Sequence, residues 1–259
     1  MHTHVPLGLG EQITLVTGGA RGLGRRIVEA FLREGARVVI NFHSSQHAAH
    51  ELARSRPDTA LAIGADVRDR SAVNAMFARA EEHFGAPVTT VVNNALVNFS
   101  FNGDARSRAD AIAYSEFAEQ FEGSIRAAVN TTQAALPGFS RAGSGRIINI
   151  GTNLFQDPVV PYHDYTAAKA ALLSLTRTFA ADLGPEGVTV NMVSGGLLRT
   201  TDASRATPEA VFDAIAAATP LQSVTTPEAF ADAALFFASP WARAVTGQNL
   251  VVDGGLVKD

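Results

Sequence analysis

The chain has 259 residues, 46% hydrophobic and 18% charged, which suits one larger α/β domain with ample core. A formal net charge of −4 without a basic block argues against a nucleic-acid partner. With no cysteine, disulfides, thiol catalysis and cysteine-ligated metals are excluded.

Met1 to Gly10 lacks a basic region followed by a long apolar core, so it does not read as a signal peptide. No apolar run approaches the roughly 18 residues that span a bilayer, so no membrane partner is expected. The lack of cysteine permits a reducing cytoplasm, which is the expected location. His2 and His4 read as part of a flexible terminus over residues 1–10, and no metal site is expected.

The first element is the apolar run Ile13-Thr14-Leu15-Val16, which leads into Thr17-Gly18-Gly19-Ala20-Arg21-Gly22-Leu23-Gly24. A helical pattern, Ile27, Val28, Phe31 and Leu32, leads out, giving strand, glycine turn and helix: the opening of a nucleotide-binding βαβ unit. Gly18 suits a tight turn. Gly22 lets a pyrophosphate approach a helix N-terminus, and Gly24 lets the helix pack close on the strand. The same spacing also occurs in ordinary glycine-rich turns, so the pattern needs a catalytic partner elsewhere.

Further buried-type strands are expected at 37–42, 61–63, 88–92, 146–150, 188–193 and 250–252. Helical patterns lie between them at about 46–54, 70–84, 113–135, 163–183, 208–217 and 227–238. Alternation of this kind implies a single-domain, doubly wound parallel sheet, Rossmann-like, with helices on both faces. Two segments, Leu96 to Ala111 and Ser194 to Thr207, exceed usual loop lengths. Both follow the C-terminal ends of strands, where open α/β sheets bind ligands, and substrate contact is expected there.

The catalytic partner is Tyr165 with Lys169. Four residues apart, they share a helix face, and an ammonium beside a phenol favours the phenolate. Lys169 is therefore expected to lower the Tyr165 pKa from its usual value near 10, so that Tyr165 can exchange a proton with a carbonyl or alcohol. Thr152 follows the strand Arg146 to Ile150 and lies thirteen residues before Tyr165.

With these residues in place, the chain resembles the short-chain dehydrogenase/reductase family over roughly residues 11–257. The resemblance rests on the glycine turn, Asp66-Val67, Asn93-Asn94-Ala95, Tyr165-x-x-x-Lys169, Thr246-Gly247-Gln248 and Val252-Asp253-Gly254-Gly255. Within the family the chain looks most like the 3-oxoacyl-acyl-carrier-protein reductases. The resemblance implies roles by position. Tyr165 is the acid/base, Lys169 also holds the nicotinamide ribose, and the Thr152 hydroxyl binds the substrate carbonyl oxygen. Asp66 and Val67 flank the adenine, Asn93 to Ala95 line the cofactor channel, and Gly196, Leu198 and Thr200 belong to the segment covering the nicotinamide. A homotetramer is implied, built from the helices at 113–135 and 163–183 and from the C-terminal segment.

Four positions depart from the family pattern. Thr152 replaces a serine and keeps the hydroxyl while narrowing the pocket. Ser124 replaces an asparagine that holds a water in a proton relay. Leu96 adds bulk after Asn-Asn-Ala. Gly195-Gly196 replaces Pro-Gly and is expected to loosen the covering loop.

For the cofactor, the end of the second strand carries Asn41, Phe42, His43 and Ser44, with no carboxylate to repel a 2′-phosphate; Phe42 aligns with the family's acid. Arg21 in the glycine turn can meet that phosphate. NADP(H) is the expected cofactor. The expected substrate is a small-molecule or carrier-bound ketone, first a 3-oxoacyl thioester, with another ketone or a sugar alcohol as the alternative. A catalytically weak NADP(H)-binding sensor is the reading of a different class.

Overall fold

The computed structural model describes residues 7–102, 105–202 and 204–258. His2, His4 and the rest of 1–6 lie outside the described residues. Leu9–Glu11 forms a short 3₁₀ turn, with the Gly8 amide donating to Glu11 Oε2 at 2.7 Å and Gln12 Nε2 donating to the Leu7 carbonyl at 3.0 Å.

Seven parallel strands form one sheet in the order β3-β2-β1-β4-β5-β6-β7. They are β1 (Ile13–Val16), β2 (Arg37–Phe42), β3 (Ala60–Gly64), β4 (Thr90–Asn93), β5 (Gly145–Thr152), β6 (Val188–Gly195) and β7 (Asn249–Val252). Between them run α1 (Gly22–Arg33), α2 (Gln46–Arg54), α3 (Arg70–Phe84), α4 (Tyr114–Phe121), α5 (Ala127–Ala142), α6 (His163–Leu183), α7 (Glu209–Ala218) and α8 (Pro227–Ala238). The order reverses between β1 and β4, the switch point where open sheets of this kind bind ligands.

Burial on both faces explains the β-branched runs. One core packs Val16, Ile40, Val92, Ile148 and Val193 under α1 and α8 with Phe31, Phe230 and Phe237. The other packs Leu15, Val39, Val91, Ile147 and Val190 under α3, α5 and α6 with Met76, Phe77 and Phe139. Each strand thus alternates between two apolar faces.

The helix expected at 113–135 differs from what forms. It runs from Tyr114 through a π-turn at Glu122–Arg126 and on to Ala142, with Pro137 inside α5. Proline forfeits one helix bond there. Burial of Ala135, Gly138 and Phe139 holds the turn in place, and Gly143 in the left-handed region ends it.

Candidate active site

The β1–α1 turn is dictated by its glycines. Gly18 and Gly22 have positive φ of 62° and 54°. A Cβ on Gly24 would lie 2.2 Å from the Gly18 carbonyl oxygen, whereas one on Gly22 would meet nothing within 4 Å. The Arg25 amide is bonded back to Arg21, so the amides of Gly22, Leu23 and Gly24 precede the first helical bond and are suited to an anion.

Three side chains brace this turn. The Thr17 hydroxyl accepts from the amides of Asn94 and Ala95 at 2.9 and 3.0 Å, joining β1 to the end of β4. Asn94 Nδ2 donates to the Thr17 carbonyl at 2.9 Å. Asn41, 2% exposed, accepts from the Gly18 amide at 3.2 Å and donates to the Ala65 carbonyl at 3.0 Å. The Asn41 amide is thus spent on backbone and shapes the cleft. Phe42 is also turned inward, 8% exposed and edge-on to His50, so the position aligned with the family's acid does not face the cleft.

His43, Ser44 and Arg21 are exposed beside the turn, and Arg21 forms no ion pair among the described residues. Asp66 is bound by Arg68 at 2.7 Å, and this pairing holds its carboxyl down at about 2. Val67 is buried, and its carbonyl accepts from Asn130 Nδ2 at 3.0 Å. No group of three or more potential metal ligands occurs among the described residues.

At the C-terminal edge of the sheet, Thr152 ends β5 and Tyr165 and Lys169 rise from α6. All three are buried, at 3%, 7% and 4% exposure, and the Thr152 hydroxyl acts on the Tyr165 phenol, favouring its charged form. Lys169 Nζ donates to the Ile150 carbonyl at 2.7 Å and lies 5.8 Å from the centre of the Tyr165 ring.

The electrostatics correct the expectation that Lys169 lowers the Tyr165 pKa. Burial pushes the phenol up to about 12, and the Thr152 hydroxyl draws it only partly back. Lys169 is not among the influences on the phenol: its Nζ turns to the strand carbonyl, 5.8 Å from the ring centre. Burial also pushes the lysine itself down to about 8.

Ser124 lies in the π-turn between α4 and α5, 6% exposed. With Thr17, Asn93, Ala95 and Lys169 it lines a cavity of about 10 Å³, the lower limit for one water. Asn93 is otherwise locked in a buried chain. It donates to Asn149 at 2.9 Å and accepts from Thr131 at 2.7 Å, while Asn149 donates to Thr176 at 2.8 Å.

Gly195-Gly196 does not loosen the segment that follows. A Cβ on Gly195 would lie 2.6 Å from Phe230, and one on Gly196 would lie 2.9 Å from Asn153 Nδ2. Asn153 is itself fixed by Asp253 at 2.9 Å. Close packing, not freedom, accounts for these two glycines. Leu198 is buried, its carbonyl accepting from the Ser204 hydroxyl at 2.6 Å, and Thr200 is exposed.

Sequence reasoning missed Phe99 and Phe101 in the long loop after β4. Phe99 stacks on Tyr165 with ring centres 4.7 Å apart and planes 29° apart, and Phe101 meets the same ring edge-on at 5.5 Å. Arg106 lies 4.4 Å over Phe99 and forms an ion pair with Asp164, the residue before Tyr165. The available signal was two aromatic residues at i and i+2 in an otherwise polar loop.

A family model described as Enoyl-(Acyl carrier protein) reductase matches residues 18–257. A short-chain type dehydrogenase/reductase from Picea abies is 34% identical, with 96% of this chain and 93% of that protein covered. A 3-oxoacyl-[acyl-carrier-protein] reductase from Pseudomonas aeruginosa is 32% identical over 96% of this chain and 99% of its own. Among solved structures, a gluconate 5-dehydrogenase from Burkholderia cenocepacia in complex with NADP and tartrate superposes with a TM-score of 0.85. It is 28% identical, with 98% and 97% of the two chains covered. With the turn, the switch point and the tyrosine–lysine pair in place, the chain belongs to the short-chain dehydrogenase/reductase family.

Proposed function

We propose that this chain is an NADP(H)-dependent ketone reductase in which Tyr165 exchanges the proton and Thr152 and Lys169 position it. The observation that carries the reading is that Thr152 at the end of β5 and Tyr165 and Lys169 on one face of α6 are buried together at the C-terminal edge of the sheet. The turn fits a dinucleotide: open space at Gly22, free amides at the start of α1, an exposed Arg21 and no carboxylate at the end of β2. NADPH, when bound, supplies the hydride for the carbonyl carbon.

The protein residues do the rest. The Thr152 hydroxyl donates to the carbonyl oxygen and polarises it. Tyr165 delivers its proton to the developing alkoxide. A phenol held near 12 stays protonated, the form a reduction needs. Lys169, near 8, is poised to return a proton at neutral pH, with the water-sized cavity beside Ser124 as the way in. Gly18, Gly22, Leu23 and Gly24 would hold the pyrophosphate. Arg21, with His43 and Ser44, would meet the 2′-phosphate, and Leu198 and Thr200 would flank the nicotinamide.

The wall of Phe99, Phe101 and Tyr162 around Tyr165 supports an apolar substrate over a polyol. A 3-oxoacyl thioester is the first choice. The relatives act on differing substrates by their names, so a panel decides: an acetoacetyl thioester, a cyclic ketone and a keto-sugar acid, each with NADPH. Turnover that is fastest on the thioester supports the reading. Preference for the sugar acid would overturn the substrate class, and tight NADPH binding with no turnover on any ketone would make the chain a sensor.

A homotetramer is proposed as well. β7 is an open edge strand with Leu250 exposed on it, Phe236 and Trp241 are exposed at and just after the end of α8, and Tyr114 and Phe121 are exposed on α4. Closed symmetry would cover both surfaces.

A further inference from the structure

At the opposite end of the sheet from Tyr165, the bases of β5 and β6 border a second cavity of about 230 Å³. Its lining includes Ser144, Arg146, Thr189, Arg243 and Thr246, with no carboxylate among the lining residues. Arg146 is 7% exposed, and Thr189, its register partner on β6, is 8% exposed. Arg146 spends Nη1 on the Gly145 carbonyl at 2.8 Å, while its Nε has no partner. The Thr189 hydroxyl, shielded from bulk water, has none either. Arg243 makes only a long 3.4 Å bond to the Pro240 carbonyl and no ion pair among the described residues. The Thr246 oxygen accepts from the Val190 amide at 3.0 Å, so its proton remains available to donate.

A buried guanidinium with no opposing charge is costly, and burial is the sole influence on Arg146, pulling its pKa down. The group that relieves this cost carries negative charge and several acceptors and fits a planar fork, with hydroxyls beside it. We infer that this cavity is an oxyanion site, in which a phosphate or carboxylate group is bound by Arg146 and Arg243 with the Thr189 and Thr246 hydroxyls. The oxyanion can come from a free anion or from a carboxylate of a second copy of this chain. Bound there, it ties together the bases of β5 and β6, the strands that carry Thr152 and the 196–200 segment at their other ends.

The test is the melting temperature of the full chain titrated with inorganic phosphate at constant ionic strength, for wild type, Arg146→Met and Arg146→Lys. Phosphate also stabilises proteins non-specifically, so the difference between variants is the readout. A free-anion site predicts a saturable rise of roughly 3 °C or more at tenfold excess over Kd. That rise should be lost in Arg146→Met and weakened in Arg146→Lys, which keeps the charge but loses the fork. Ketone reduction should be unchanged in both variants. No phosphate response in wild type, together with smaller particles on sedimentation of Arg146→Met, would support the site with a second copy's carboxylate as its source. Should Arg146→Met fail to fold, Arg146→Lys and Thr189→Val carry the same comparison. Identical phosphate response and identical sedimentation in all variants would overturn the inference and leave a cavity filled by water.

Discussion

Lys169→Met should change how stability depends on pH, by an amount that follows from the site. Lys169 is 4% exposed and burial holds its pKa at about 8 rather than 10.5. The unfolded chain therefore binds more protons than the folded one between these values, and stability rises with pH in that window. The contribution is fully present above 10.5 and lost as pH falls through 8. At 1.36 kcal/mol per unit, wild type should gain about 2–3 kcal/mol from pH 7 to 10 relative to Lys169→Met. Tyr165, raised to about 12, acts in the opposite sense, but only above the unfolded value of 10, so the window stays clear of it. Urea unfolding of both proteins across this range, at fixed chain concentration, measures the difference. Parallel profiles would refute the reasoning, because the lysine would then titrate as though in water.

Gly24→Ala should destabilise the chain by about 1–3 kcal/mol through overpacking and weaken NADPH binding, because its Cβ meets the Gly18 carbonyl at 2.2 Å; thermal melts and fluorescence titration check both. Gly22→Ala should cost about 1–2 kcal/mol, from its φ of 54° rather than from contact, and a cost larger than that of Gly24→Ala would contradict the geometry. His43→Asp should move preference toward NADH by about 1–3 kcal/mol through repulsion of the 2′-phosphate, read as the ratio of kcat/KM for the two cofactors. Sedimentation should give a tetramer; a 27.2 kDa monomer with full activity would sink the proposed assembly.

The frame was legible because local signals and tertiary demands agree. Buried β-branched runs bounded by glycine turns mark strands, and the α6 pattern starts at His163 and ends at Leu183, as it does in the structure. The π-turn at Glu122–Arg126 was not legible, since one extra residue in a helical turn leaves the hydrophobic spacing almost unchanged. The helical pattern that stops at 135 ends short of Ala142, because at Pro137 local propensity yields to the packing of Phe139 and Ala135. At the site, spacing brought Tyr165, Lys169 and Thr152 together, but spacing does not say where an ammonium points. Lys169 turns to the Ile150 carbonyl, and burial, not the lysine, sets the direction of the phenol's shift. Asn41 looked like a cofactor ligand from its place after a strand, yet its amide is consumed by the backbone of two neighbouring loops. The stacking of Phe99 on Tyr165 depends on the path of a long loop, which no periodicity encodes.

The central claim is that Tyr165 supplies the proton. The most direct measurement is single-turnover reduction of an acetoacetyl thioester by the NADPH-loaded protein, wild type against Tyr165→Phe. The account predicts that Tyr165→Phe binds NADPH with unchanged affinity while the rate of reduction falls by at least 10²-fold, on the scale of general acid catalysis. A Tyr165→Phe protein that reduces the ketone at the wild-type rate would contradict it.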